Sequence, residues 1–398
     1  MYCLPFGLKS TILAGAVSAM AITAAHAVEA EDAATRLKSM LALQQVELTY
    51  SSATMDGDDV VLADVTVKST EDPTTIDLGD LTLEKVTEED DGDYRVERLL
   101  IDNILQQSEE VTVEIDSFDI QGLILPRDSE SDPFFGTTRY DSLNVRSIEV
   151  DLHDQDLLWM ENFASTANVT PDGAIDSNAE VESFTLNLLA LDDEENDEEF
   201  VDTLQEIDYD ELSGRMRMGG TWHPADGRLT LSTFEVALDD AGTLNLTADI
   251  GGYTAAFARS LAELTLQMNK QGEDPNAQGM AALGLMQQLT FHGLSLRFDD
   301  DSFAGRMLNY MADKRGVEPE QLIQETRTKI QAQLSPFTGE AFANSVSEAA
   351  GNFLDDPNNI EVAAKPAEPM PFFMLGAALM GAPEALINQL GLTITANQ

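Results

Sequence analysis

The stretch Leu229-Thr-Leu-Ser-Thr-Phe-Glu-Val-Ala-Leu238 constrains the fold more than any other. It places Leu231, Phe234 and Val236 at a step of three followed by a step of two. The same spacing recurs at Leu62/Val65/Val67, Leu78/Leu81/Leu83, Ile115/Phe118/Ile120, Val145/Ile148/Val150, Val181/Phe184/Leu186 and Phe291/Leu294/Leu296. Alternation of period two marks a strand with one buried face. A single step of three reverses the phase once, as a β-bulge or bend does. The position before the second apolar residue is small or polar in every copy (Asp64, Asp80, Ser117, Ser147, Ser183, Thr233, Gly293). Repeated bent strands lining one apolar surface are therefore expected. The copies start at irregular intervals, which argues against a solenoid of fixed period.

Acidic turns join these strands. Met55-Asp-Gly-Asp-Asp59 and Glu88-Glu-Asp-Asp-Gly-Asp93 separate the first ones, and His223-Pro-Ala-Asp-Gly227 and Asp239-Asp-Ala-Gly242 the clearest meander. Strand, Gly-containing turn, strand is the pattern of antiparallel neighbours. The periodicity predicts a helix over 29–45, placed to cap the open edge of the sheet, which otherwise invites pairing with another chain. It also predicts a short helix over 154–164 with Leu157, Leu158 and Trp159 turned inward, and another through Phe200, Val201, Leu204 and Ile207. Beyond Gly251-Gly252, helices are expected over 253–271, 276–288, up to Met311, 318–334, 339–354 and 372–380. Met216, Met218, Met280 and Met286 are expected in the core.

The expected fold class is α+β: a long twisted antiparallel sheet built from repeated bent strands, with a mainly helical C-terminal part. Three segments follow: 1–27, a signal peptide; 28–252, the β-meander region with its N-terminal helix; and 253–398, a helix-rich region containing the last repeat strand. The signal peptide is expected from Lys9, the short apolar run from Ser10 to Ala25, and the small-residue cleavage site Ala25-His-Ala27. Cleavage there removes Cys3, the single cysteine, so the exported chain must be held by core burial without disulfides. No integral membrane span is expected after cleavage, and the expected location is the periplasm.

The chain carries 22 Lys and Arg against 72 Asp and Glu, a formal net charge of −50. Such a surface repels nucleic acid and other polyanions. The acidity reads first as solubility in a salty environment, with a cation-rich partner or Ca²⁺ at the acidic turns 56–59 and 88–93 as the functional alternative. No catalytic, metal or cofactor-binding residue is assigned and no cofactor is expected. His153, His223 and His292 lie in separate elements, and neither metal-ligand spacing nor a nucleophile elbow occurs. Carboxylates are too numerous for any one pair to be singled out as a glycosidase acid and base.

Three stretches carry a resemblance: Gly220-Thr-Trp-His-Pro-Ala-Asp-Gly-Arg-Leu-Thr-Leu231, Leu294-Ser-Leu-Arg-Phe-Asp-Asp-Asp-Ser302 and Lys365-Pro-Ala-Glu-Pro-Met-Pro-Phe372. Over roughly the last half of the chain they resemble an uncharacterised family of secreted alphaproteobacterial proteins. The repeat strands also look loosely similar to those of AsmA-type envelope proteins, which implies a part in lipid transport or outer-membrane upkeep. The expected function is that of an exported, non-enzymatic cell-envelope protein binding an apolar or lipid ligand on a curved sheet. The alternatives are a periplasmic scaffold or interaction module with an envelope protein as partner, and a hydrolase using two carboxylates. Whether the apolar face is an open groove or a core covered by helices stays open at this level.

Overall fold

The computed structural model describes residues 28–69, 75–108, 110–129, 131–134, 137–191, 198–268, 275–381 and 383–398; the expected signal peptide lies outside them. After helix α1 (Ala30–Leu43) come β1 (Val46–Thr49), β2 (Ser52–Asp56), β3 (Asp59–Ser69), β4 (Thr75–Glu88), β5 (Tyr94–Gln107), β6 (Val111–Leu125) and β7 (Tyr140–Leu152). Next are β8 (Gln155–Val169), β9 (Ile175–Asn187), α2 (Glu198–Glu206), β10 (Glu211–His223), β11 (Arg228–Leu238) and β12 (Gly242–Gly251). The remainder is α3 (Ala255–Met268), α4 (Pro275–Met286), β13 (Thr290–Asp300), α5 (Phe303–Arg315), α6 (Pro319–Thr338) and α7 (Glu340–Asp355). It closes with β14 (Asn359–Ala364), β15 (Met370–Pro371), α8 (Phe372–Gly381), α9 (Pro383–Leu390) and β16 (Leu392–Ala396).

These strands form one open, antiparallel, 16-stranded sheet, so the molecule is α+β as its sequence pattern predicts. From β3 to β13 each strand pairs with its chain neighbours; β14 and then β16 extend the far side, while β1 and β2 share β3 on the near side. The sheet therefore continues without a break through Gly252, where the texture of the sequence changes.

The repeated step of three is a bulge in most copies. Across Leu62–Val65, β3 has three steps where β4 has two (Leu81–Gly79). Across Val181–Phe184, β9 has three where β10 has two (Gly214–Met216). In β13 the extra residue is His292, with Phe291–Gly293 opposite Ile250–Asp249. Asp64 takes φ of 52°, the left-handed region in which a bulged residue is turned out of the ladder, and Ser117 takes a similar φ of 56° at an in-register bend. The copies in β6 and β7 bend together and stay in register, with Ile115 opposite Ile148 and Phe118 opposite Val145.

Bending in phase keeps the apolar set on one side. Reading across the sheet from β5, one row is Ile101, Phe118, Val145, Phe163, Val181, Met216, Val236, Leu244, Phe298, Ile360 and Ala396. At ~4.8 Å between strands the row is on the order of 50 Å long. A neighbouring row on the opposite face contains Asp119, Asn144, Ala164, Glu180, Arg217, Glu235, Asn245, Arg297, Glu361 and Thr395. One face is thus apolar and the other polar. Arg98–Asp119 (3.0 Å), Arg146–Asp116 (2.7 Å) and Arg217–Glu180 (3.2 Å) pair across strands on the polar face.

Several expectations are corrected. Residues 154–164 are strand, not helix: His153 and Asp154 both have positive φ and turn the chain into β8. Asn162 (φ 51°) bends the strand there while both neighbouring strands stay in register, and the resulting step from Met160 to Phe163 imitates helical spacing. Trp159 consequently points to the polar face, opposite Glu149, and is 44% exposed rather than inward. Helix α1 lies along the edge strands β1 and β2, and its Ala33, Ala34, Leu37 and Met40 also pack against the apolar face over β3 to β6. Met218, Met280 and Met286 are exposed rather than in the core. The acidic segment 192–197 lies outside the described residues, while α2 forms as expected, with Val201, Leu204 and Ile207 buried.

Candidate functional site

The apolar face is closed at two places and open at a third, the end of β9 to β12 opposite the second closure. Under α1, Leu62, Leu83, Val96, Leu123 and Leu125 are excluded from water. A second buried cluster joins Leu188, Val201, Leu204, Ile207 and Tyr209, with Leu186, Leu212 and Leu238 at one end of β9 to β11 and Phe303 of α5 packed against it. Neither cluster reaches the other half of β10 to β13. On the apolar face of β10 to β13, Met218 is 47%, Leu244 37%, Leu294 36% and Leu296 40% exposed. Exposed apolar residues scattered singly are ordinary; a contiguous set on one face marks a binding surface.

Within this stretch lies a groove of about 400 Å³. Ile175, Met218, Trp222, Leu229, Leu231 and Ile250 line it, and the lining residues carry no charge. Its shape depends on local packing. Gly220 belongs to the lining, and a Cβ there would stand 2.6 Å from the carbonyl oxygen of Thr230, so only glycine lets β10 and β11 approach this closely. Trp222 Nε1 donates to the Tyr253 carbonyl at 2.6 Å, and the two rings meet edge to face, 6.1 Å apart. That bond satisfies the indole N–H and leaves its apolar body on the groove wall. A volume of this size is in the range that holds small apolar ligands, roughly 300–1,000 Å³.

Histidine is dispersed as the sequence suggests. His153 is in the β7–β8 turn, His223 ends β10, and His292 is the bulged residue of β13. His292 is on the polar face, where Arg228 reaches its ring and also pairs with Asp249, and Thr290 Oγ1 lies 3.1 Å from Nε2. Burial pushes its pKa below the ordinary value, Arg228 pushes it further, and Asp249 opposes both. The folded chain therefore favours neutral imidazole. Stability from this group is complete above the ordinary pKa near 6.5 and is lost as pH falls through the lower folded value. Urea midpoints of wild type should drop between pH 7 and pH 5 more than those of His292→Gln; equal drops would show that another group is responsible.

Three carboxylates of the acidic turns are used internally. Asp59 accepts from the Lys85 N–H (2.8 Å), Asp91 from that of Asp93 (3.1 Å), and Asp93 from that of Arg127 (2.8 Å). Among the described residues no group of three or more His, Cys, Asp or Glu is placed to hold a metal ion. Among them, too, no helix is long and apolar enough to cross a membrane.

Residues 235–397 match the model of a family described only as an uncharacterized protein. The match begins inside β11 and takes in the β12 side of the groove and α3 to α9. No curated protein matches the chain.

Proposed function

We propose that this chain is an exported, non-enzymatic protein of the cell envelope that holds an apolar ligand, a lipid acyl chain, on the open part of its sheet. The observation that carries the reading is the uncharged groove on an apolar face that is sealed at two places and left bare at the end of β9 to β12 away from the second. Along β12 the apolar side runs from Leu244 to Ile250, about 20 Å at ~3.4 Å per residue, which suits an extended chain. The separation of His153, His223 and His292 supports a binding role over a catalytic one. Export to the periplasm rests on the leader-like segment 1–27, and kinship with secreted alphaproteobacterial and AsmA-type envelope proteins belongs to the same proposal.

The test is native mass spectrometry of the protein purified from a periplasmic extract, followed by lipid extraction. Acyl lipid bound at fixed stoichiometry is the expected result. A ligand-free mass, unchanged after incubation with phospholipid vesicles, would overturn the proposal. One observation favours a second reading, a docking module for an envelope protein: Met280 and Leu283 of α4 and Phe373 and Met374 of α8 are exposed on helices that touch. A stable stoichiometric partner lost on charging Phe373 would support that reading.

A further inference from the structure

A second cavity, of about 520 Å³, lies among α5, α6 and α7, where they pack beside β13. Its inner end is aromatic. Phe298 of β13 meets Phe303 of α5 and Phe353 of α7 edge to face, with both ring centroids 6.3 Å away. Met307 and Leu308 of α5 and Ile330 of α6 continue the apolar wall. Its charged lining residues are Arg315, Glu325 and Lys329, all exposed and hence at the rim. Glu325 reaches Arg315 at 3.7 Å, and Lys329 has no ion pair among the described residues. Two cations against one carboxylate make this rim positive in a chain of net charge −50.

We propose that this cavity binds a single-chain anionic amphiphile, a long-chain carboxylate, with its tail among the phenylalanines and its head at Lys329. The pairing follows from charge. An acidic surface repels anions over most of its extent, so a cationic rim above an apolar cavity selects a ligand that is apolar at one end and anionic at the other. Lysine is suited to the head because its ammonium is a mobile point charge on a long apolar stem. The inference does not depend on occupancy of the sheet groove, which the lining residues place on other strands.

The test is titration of the purified, delipidated chain with palmitate and with a neutral analogue of the same length, monopalmitoylglycerol. Wild type should bind palmitate more tightly. Lys329→Gln should weaken palmitate about tenfold, equivalent to about 1.4 kcal/mol, and leave the neutral analogue unchanged. Met307→Trp, which fills the cavity, should weaken both. Equal palmitate affinity in Lys329→Gln and wild type would overturn the proposal, as would palmitate binding that survives Met307→Trp in a variant with unchanged circular dichroism. Met218→Asp separates the two sites. Loss of palmitate binding in that variant would place the ligand on the sheet, refuting this proposal and leaving the sheet reading intact. Palmitate binding sensitive to Lys329 in a chain that purifies without lipid would do the reverse.

Discussion

Leu62→Ala should destabilise the chain by roughly 2–5 kcal/mol, with the loss concentrated in β1 to β5. Leu62 is fully buried, stands opposite Leu81, and begins the step of three that bends β3 beneath α1. Truncation leaves a cavity at the point where helix and sheet meet. The bulge at Asp64 limits how far β3 can collapse into it, because sliding the strand would move its apolar residues to the wrong face. In an open meander each strand is held mainly by its two neighbours, so damage under α1 is not expected to spread across the sheet. Hydrogen exchange should show lost protection in β1 to β5 and near-native protection in β12 to β14. Met218→Ala, at a site half open to water, is the control and should cost well under the same amount. A loss below about 1 kcal/mol, or one spread evenly over all strands, would contradict a separate local core under α1.

Much of this architecture was legible because the strands obey one rule repeatedly. Two steps of two can arise by chance; seven copies of three-then-two, each with a small or polar residue before the second apolar one, cannot easily be anything but bent strands. The rule also misleads where its local form coincides with another period. Around Met160 and Phe163 an in-register bend at Asn162 produces the same spacing as a helical turn, and the acidic start Asp154-Gln-Asp156 resembles a helix N-terminus. Only the left-handed pair His153 and Asp154, a hairpin turn in the structure, separates the two.

The openness of the face was beyond the sequence pattern for a different reason. Strands that will be covered and strands that will stay bare carry the same alternation: Leu81 and Leu83 are buried, while Leu294 and Leu296 are substantially exposed. What differs is where helices land. Helix α1 can lie close because Ala33 and Ala34 offer little bulk, and Arg36 anchors its far side by stacking over Tyr94 and donating to the Gly92 carbonyl at 2.7 Å. Those contacts join residues 56 or more positions apart in the chain and leave no local mark. The α5–α7 cavity is similar. Its amphipathic helices could be recognised singly, but the meeting of Phe298, Phe303 and Phe353 depends on their packing angles.

Met218→Asp should abolish retention of acyl lipid by the sheet without unfolding it. Met218 lines the groove yet is 47% exposed, so in the free protein a carboxylate there stays hydrated at small cost in stability. Binding an acyl chain over it would strip that water with no cation in the lining to compensate. The effective penalty for a charge so desolvated is several kcal/mol, and even about 2.7 kcal/mol lowers affinity about a hundredfold. Ala248→Phe tests the same groove without a charge: it fills the space between β11 and β13 and should also displace lipid. Both variants should melt within a few degrees of wild type and lose the lipid-bound species in native mass spectra. Arg217→Ala is the matched control. It alters the adjacent residue on the polar face, removes the pair with Glu180, and should keep the ligand. If Met218→Asp and Arg217→Ala retain lipid equally, the ligand is not on the apolar face. If both lose it equally, retention depends on the strand rather than on the side it presents.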